Sequence, residues 1–151
     1  MGRIFECVES FLKSDDWPYT LVEGQTIAKS SFQGKNGAFN LFAQAREEQD
    51  HLVFYAVLPV FTPEERRAEM TRFITRANSG MMIGNFELDL NDGEVRFKTS
   101  ADLEDVPEFS LLLRNLLYAN ALTMDRYLTG LMRIIYGGVG GDEAIREIEG
   151  A

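Results

Sequence analysis

Residues 76–102 read RANSGMMIGNFELDLNDGEVRFKTSAD. A helix stops at the start of this stretch and a hairpin follows. With Asp92-Gly93 as a two-residue turn, Leu90 pairs with Val95, Leu88 with Phe97 and Phe86 with Thr99 on one face. On the other face Asp89 meets Arg96 and Glu87 meets Lys98, opposite charges directly across from each other. A slip of one residue would set apolar against charged side chains throughout. Each cross-strand pair contributes only ~0.2–1 kcal/mol, but all of them agree on one register. The charged face points to water and the apolar face to a layer of helices.

Just upstream, TPEERRAEMTRFITRANSG is the clearest helix in the chain. Thr62 reads as its N-cap, Pro63 as the first helical position and Glu65 as the partner that completes a capping box. Met70, Phe73, Ile74 and Ala77 form the apolar stripe, and Asn78 and Gly80 supply a left-handed stop. Before that comes HLVFYAVLP, in which Leu52, Phe54, Ala56 and Leu58 fill one face while Val53, Tyr55 and Val57 fill the other. A strand apolar on both faces is usually central and covered on both sides. TIAKSSFQ and AFNLFAQAR flank GKNG, where Asn36-Gly37 favours a tight turn that sets Phe32 against Leu41 and Ala28 against Ala45. Ile4, Phe5, Val8, Phe11 and Leu12 recur at helical offsets, and Pro18 closes that first helix.

Downstream, a long helix runs from Pro107 to about Tyr136, with Leu113, Leu116, Leu117, Met124, Leu128, Leu131 and Ile135 on one stripe. Leu112, Ala119 and Leu122 widen that stripe past what a single sheet face needs. GGVGGD breaks the helix, and DEAIREIEG makes a short tail capped by Asp142. The order is α-β-β-β-α-β-β-α. It predicts an α+β fold, a five-stranded antiparallel sheet with helices packed mainly on one face, within one unit spanning residues 1–151.

The composition is that of a soluble globular chain, 45% hydrophobic and 26% charged. Its 24 acids against 15 bases give a net charge of -9, which opposes a phosphate backbone and an anionic membrane. Neither nucleic acid nor membrane is expected as a partner. One cysteine, Cys7, excludes an internal disulfide and a cysteine-based zinc site, and it reads as a small half-buried thiol. No apolar run approaches the ~20 residues that a bilayer requires, and acids interrupt the apolar positions at the N-terminus. A cytoplasmic location follows by default.

No residue set specifies a reaction. DLNDGE has calcium-loop letters, but Gly93 comes fifth after Asp89 and the terminal glutamate of such a loop is missing. GGVGGD lacks the Lys-Ser/Thr of a phosphate loop. His51 is the sole histidine, so neither a histidine triad nor a multi-histidine metal site can form. Arg66, Arg67, Arg72 and Arg76 give one helix a basic side, read as a solvated surface. The chain is expected to be no enzyme and to carry no catalytic, cofactor or metal residues.

The stretch RANSGMMIGNFELDLNDGEVRFKTSADLE resembles the YbjN-domain family of bacterial proteins, in which an Asn at a helix end leads into an IGNFELD strand and a DGEVR strand. Asn78, Ile83, Gly84, Phe86, Asp89, Gly93 and Val95 match that pattern. LVFYAVLPVFTPEER and DEAIREIEG also look like the family. The resemblance implies a fold like that of the type III secretion chaperones, a compact unit that often dimerises and offers a surface to polypeptide segments. It carries over no catalytic residue.

What remains is surplus apolar surface: Phe42, Val53, Tyr55 and Val57 on the sheet, and Leu112 and Leu122 on the long helix. Such patches normally mark an interface. The expectation is a protein-interaction or chaperone-like module, a homodimer, binding a partner polypeptide through these residues. The alternatives are a tail after Gly137 that folds back over them, or a small-ligand sensor or enzyme with a pocket between sheet and helices.

Overall fold

The computed structural model describes residues 2–150, and in it six strands form one antiparallel sheet. The elements are α1 (Arg3–Ser14), β1 (Tyr19–Leu21), β2 (Ile27–Gln33), β3 (Ala38–Arg46), β4 (His51–Val57), α2 (Arg67–Ser79), β5 (Asn85–Leu88), β6 (Val95–Asp102), α3 (Ser110–Tyr136) and α4 (Gly141–Glu149). The strands lie side by side as β1-β2-β3-β4-β6-β5. The pattern of five strands is thus one short, and the element order gains a strand before β2. Tyr-Thr-Leu pairs with Ala28–Ser30, but three residues are too few to display a period of two.

Both hairpins differ from the tight turns that their Asn-Gly and Asp-Gly pairs predict. Ala28 lies opposite Ala43 and Phe32 opposite Phe39, so the first loop is the four residues Gly34–Gly37. Asp125, on α3, holds it open: its carboxylate accepts the backbone N–H groups of Lys35 at 3.0 Å and Asn36 at 2.9 Å. In the second hairpin Leu88 lies opposite Val95 and Phe86 opposite Phe97. There the Asp89 and Asp92 carboxylates accept the N–H groups of Asn91 and Glu94, bending the chain locally. Gly93 sits at φ +85, and a Cβ on it would meet the Thr62 carbonyl oxygen at 2.1 Å, so glycine is required twice over. Each register is displaced by two residues. That displacement keeps the strand residues on their predicted faces, but Leu90, expected opposite Val95, falls in the turn beyond β5 and is 67% exposed.

One face of the sheet carries the core. Ala28, Phe39, Leu41, Ala43, Leu52, Phe54, Ala56, Val95 and Phe97 are buried beneath α1, α2 and α3. α2 contributes Met70, Phe73, Ile74 and Ala77, as its stripe predicts, and α3 contributes Leu113, Leu117, Met124, Leu128 and Leu131. At ~1.5–3 kcal/mol for each fully buried large side chain, this layer supplies most of the driving force for folding. Asn120, buried in the middle of α3, donates to the Phe54 and Phe97 carbonyls at 3.0 Å each and ties that helix to the sheet. Trp17 stacks on Phe32 and meets the edge of Tyr118, anchoring the end of α1.

The helix caps come from distant residues. Glu47 accepts the N–H groups of Ile4 at 3.2 Å and Phe5 at 2.8 Å at the start of α1. Thr62 does not cap α2. Its N–H bonds the Gly93 carbonyl at 2.8 Å, its carbonyl accepts Arg67 Nε at 3.0 Å, and its buried hydroxyl has no partner among the described residues. Pro63 is extended, Glu64–Arg66 form a 3-10 turn, and α2 starts at Arg67 with no side-chain cap. Nor is there a left-handed stop at Gly80, whose φ is −101. Asp142 is drawn away from capping α4 by Arg72 and Arg76, and Glu69 takes the Gly141 N–H at 2.7 Å instead.

Candidate interaction surfaces

The second face of the sheet is left without a helix. Strand alternation places Lys29, Phe42, Tyr55 and Lys98 on it in one row across β2, β3, β4 and β6, each opposite the next. Val57 and Arg96 lie in the adjoining row on one side, Val53 and Ser100 in the row on the other. Phe42, Val53, Tyr55 and Val57 are all half-buried, whereas their neighbours Phe54 and Ala56 on the core face are sealed. β4 is central, as its two apolar faces predict, but only one of those faces is covered. The sequence-predicted sheet residues therefore do converge on one surface.

Cations lie among these rings. Lys29 Nζ is 5.9 Å from the Phe42 ring centroid, and Arg96 Cζ is 4.4 Å from that of Tyr55. Glu87 on β5 accepts Arg96 Nε at 2.8 Å and Lys98 Nζ at 2.9 Å, so it serves both cations, and Asp89 pairs with neither. Partial burial pushes the Glu87 carboxyl up. Its bonds to Lys98 and Arg96 outweigh that and hold it below the usual glutamate range. The strand residues of this face comprise Lys29, Arg46, Arg96 and Lys98 against Glu87 and Asp102, a positive island on a chain of net charge -9.

Leu112 and Leu122 lie elsewhere, on the helix that covers the opposite face. Leu112 is 40% exposed and Leu122 is 56% exposed. Around Leu122 the structure adds residues that the sequence reading missed. Met82, 95% exposed, and Ile83 border an open groove of about 480 Å³ between the end of α2 and the middle of α3, with Met81, Ala119 and Arg126. The run Gly-Met-Met-Ile-Gly was the available signal, and in it the neighbours Met82 and Ile83 are exposed while Met81 is half-buried against the core. At the end of this groove the Tyr127 hydroxyl donates to Glu149 at 2.6 Å; burial, then this bond, pushes its pKa up to about 12.

α4 packs on α2 and α3 rather than on the open sheet face. The centre of the space between sheet and helices is filled by Phe54, Phe97, Leu113 and Met124, each at most 1% exposed. An open cavity of about 550 Å³ lies at its margin, between the Gly34–Asn36 loop and Leu122, Asp125 and Arg126 of α3. His51 lies opposite Asp102 and Arg46 at a strand end, and the half-buried Cys7 thiol lies 3.8 Å from the Ser110 hydroxyl. Among the described residues no three of His, Cys, Asp or Glu are grouped to hold a metal, and no helix is long and apolar enough to cross a membrane.

The fold and these surfaces define a two-layer α+β protein with one sheet face sealed by helices and the other open. The chain belongs to the YbjN family, described as "Putative bacterial sensory transduction regulator", whose model matches residues 5–128. The match ends within α3, so the terminal DEAIREIEG stretch lies outside it. The chain is similar in fold to the crystal structure of YbjN from E. coli, "a putative transcription regulator". That likeness has a TM-score of 0.60 at 8% identity and covers 78% of this chain and 86% of that one. A chain of the HopA1-SchA chaperone-effector complex superimposes with a TM-score of 0.48 at 15% identity, over 83% of this chain and 95% of that one, a degree of likeness that carries no functional weight. No curated protein sequence matches.

Proposed function

We propose that this protein is a non-enzymatic interaction module of the cytoplasm that binds a partner polypeptide through its open sheet face and pairs with a second copy through α3. The observation that carries this reading is the asymmetry of β4. Leu52, Phe54 and Ala56 are fully sealed on one side, while Val53, Tyr55 and Val57, with Phe42 beside them, remain half-exposed on the other. Apolar side chains in the centre of a sheet, uncovered by their own chain, favour a face that another chain completes. The self-association surface is the exposed ridge of Leu112 and Leu122 with Met82 and Ile83 beside it. Methionine there suits contact with variable shapes.

Sedimentation velocity at micromolar concentration tests the pairing: a dimer is expected, and Leu122→Glu should return it to a monomer with its circular dichroism unchanged. A monomeric wild-type chain ends the dimer claim. A thermal-shift panel of nucleotides and metabolites should stay flat, because a bound ligand raises the melting temperature by mass action. A reproducible shift with one compound would replace this reading with that of a ligand sensor or enzyme.

A further inference from the structure

We infer that the occupant of the open sheet face is an acidic amphipathic helix of a partner polypeptide. It lies along the strands over Phe42 and Tyr55, with carboxylates toward Lys29 on one flank and Lys98 on the other. This rests on the interaction reading above and adds the chemistry of what is bound. Three features of the face select it.

The first is charge. The island formed by Lys29, Arg46, Arg96 and Lys98 exceeds the acids among it, although the chain as a whole is strongly acidic. An acidic segment is therefore repelled by most of the molecule and drawn to this face. Lys29 lies against the Phe42 ring with no carboxylate partner among the described residues, and an arriving carboxylate offers it a stronger partner than the ring does. Arg96 and Lys98 share the single carboxylate of Glu87 and together still carry one unit of positive charge beyond it.

The second is width. The row from Lys29 to Lys98 crosses three strand spacings, about 14 Å. One helix, about 10 Å across, fills that span with an apolar stripe on the rings and an acid reaching each lysine. An extended segment on the same face would leave its own backbone groups unpaired. Strand addition at the β5 edge is obstructed, because the Asn78 side chain already accepts the Phe86 N–H at 2.7 Å and donates to the Phe86 carbonyl at 3.1 Å.

The third is symmetry. A two-fold axis along the strands lays Lys29 of one copy over Lys98 of the next, and an axis across the strands lays each lysine over its own counterpart. A second copy therefore brings like charges together on this face.

The test is selection of peptides from a random library of about 16 residues, long enough for a helix to cover β4, against the full chain at low salt. The enriched peptides are expected to carry net negative charge and apolar residues at i, i+3, i+4 and i+7. Lys29→Glu/Arg46→Glu reverses two exposed charges that enter no ion pair among the described residues. It should weaken the best peptide at least about tenfold at unchanged circular dichroism and melting temperature. Tyr55→Ser, checked in the same way, should also weaken it. Enriched peptides that are neutral, basic or without helical period, or that bind both variants undiminished, overturn this inference while leaving the interaction module standing. Binding of short oligo(dT), lost in the double variant, with no peptide enriched, overturns it in favour of nucleic acid. A library that yields no binder to the chain at all removes both readings.

Discussion

Asp125→Ala should loosen the first hairpin, and the structure sets the size of the effect. The carboxylate is held in a site 7% exposed and accepts two backbone N–H groups, while the Asn36 side-chain amide donates to the Asp125 carbonyl at 3.0 Å. Hydrogen bonds to a charged group contribute about 1.5–3 kcal/mol each when buried, and water reaching the vacated loop recovers part of that. A loss of about 2–4 kcal/mol follows, or about 5–12 °C in Tm for a chain of this size. Gly34 makes the argument sharper. A Cβ there would lie 2.1 Å from Asp125 Oδ1, so Gly34→Ala alone should cost about 1–3 kcal/mol. With alanine at 125 the obstruction is gone, and the two substitutions together should cost at least about 1 kcal/mol less than their sum. Urea unfolding followed by circular dichroism, at constant m-value, measures all four corners of the cycle. Additivity within about 0.5 kcal/mol, or an Asp125→Ala variant as stable as the parent, would refute the claim that α3 sets the loop and hence the register.

Asn78→Ala removes both bonds to the outward-facing backbone of Phe86 and should cost about 1–3 kcal/mol in urea unfolding, with Asn78→Asp intermediate because it accepts but cannot donate. Tyr127 should contribute the last phase of an alkaline absorbance titration, near the value of about 12 to which burial and Glu149 push it. Because that pKa is raised on folding, the associated stability is complete below the ordinary tyrosine value of about 10 and is lost as pH climbs through about 12; Tyr127→Phe should abolish both the phase and the loss. Glu87 works in the opposite direction. Its pKa is depressed on folding, so its contribution is present above the ordinary glutamate range and falls away as pH drops below it, and Glu87→Gln should flatten that acid limb of a stability profile. The same substitution removes an acid from the positive island and should tighten binding of an acidic helical peptide.

The sequence by itself determined the helices and the five longer strands, and which residues of each share a face. Those properties follow from periods of 3.6 and 2, carried by neighbours a few positions apart, and β4, α2 and α3 bury the residues those periods nominate. Even the displaced registers kept their faces, since a shift of two residues preserves alternation. The row of Phe42 and Tyr55 was legible for that reason, as apolar residues on the outer side of their strands.

Tertiary structure decided everything that depends on a partner far along the chain. Glu47 caps α1, Glu69 caps α4, Asp125 opens the first loop and Asn78 blocks the β5 edge. Local capping rules see only adjacent residues, so they assigned the ends of α2 to Thr62 and Gly80 and the start of α4 to Asp142, where bonds from Arg72 and Arg76 on α2 outweigh a cap of about 1 kcal/mol. The short β1 strand exists because β2 offers it an edge. Which of two apolar faces would be covered was likewise beyond any periodicity. The choice between a sealed and an open side of β4 rests on where three helices pack, and that is a property of the whole chain.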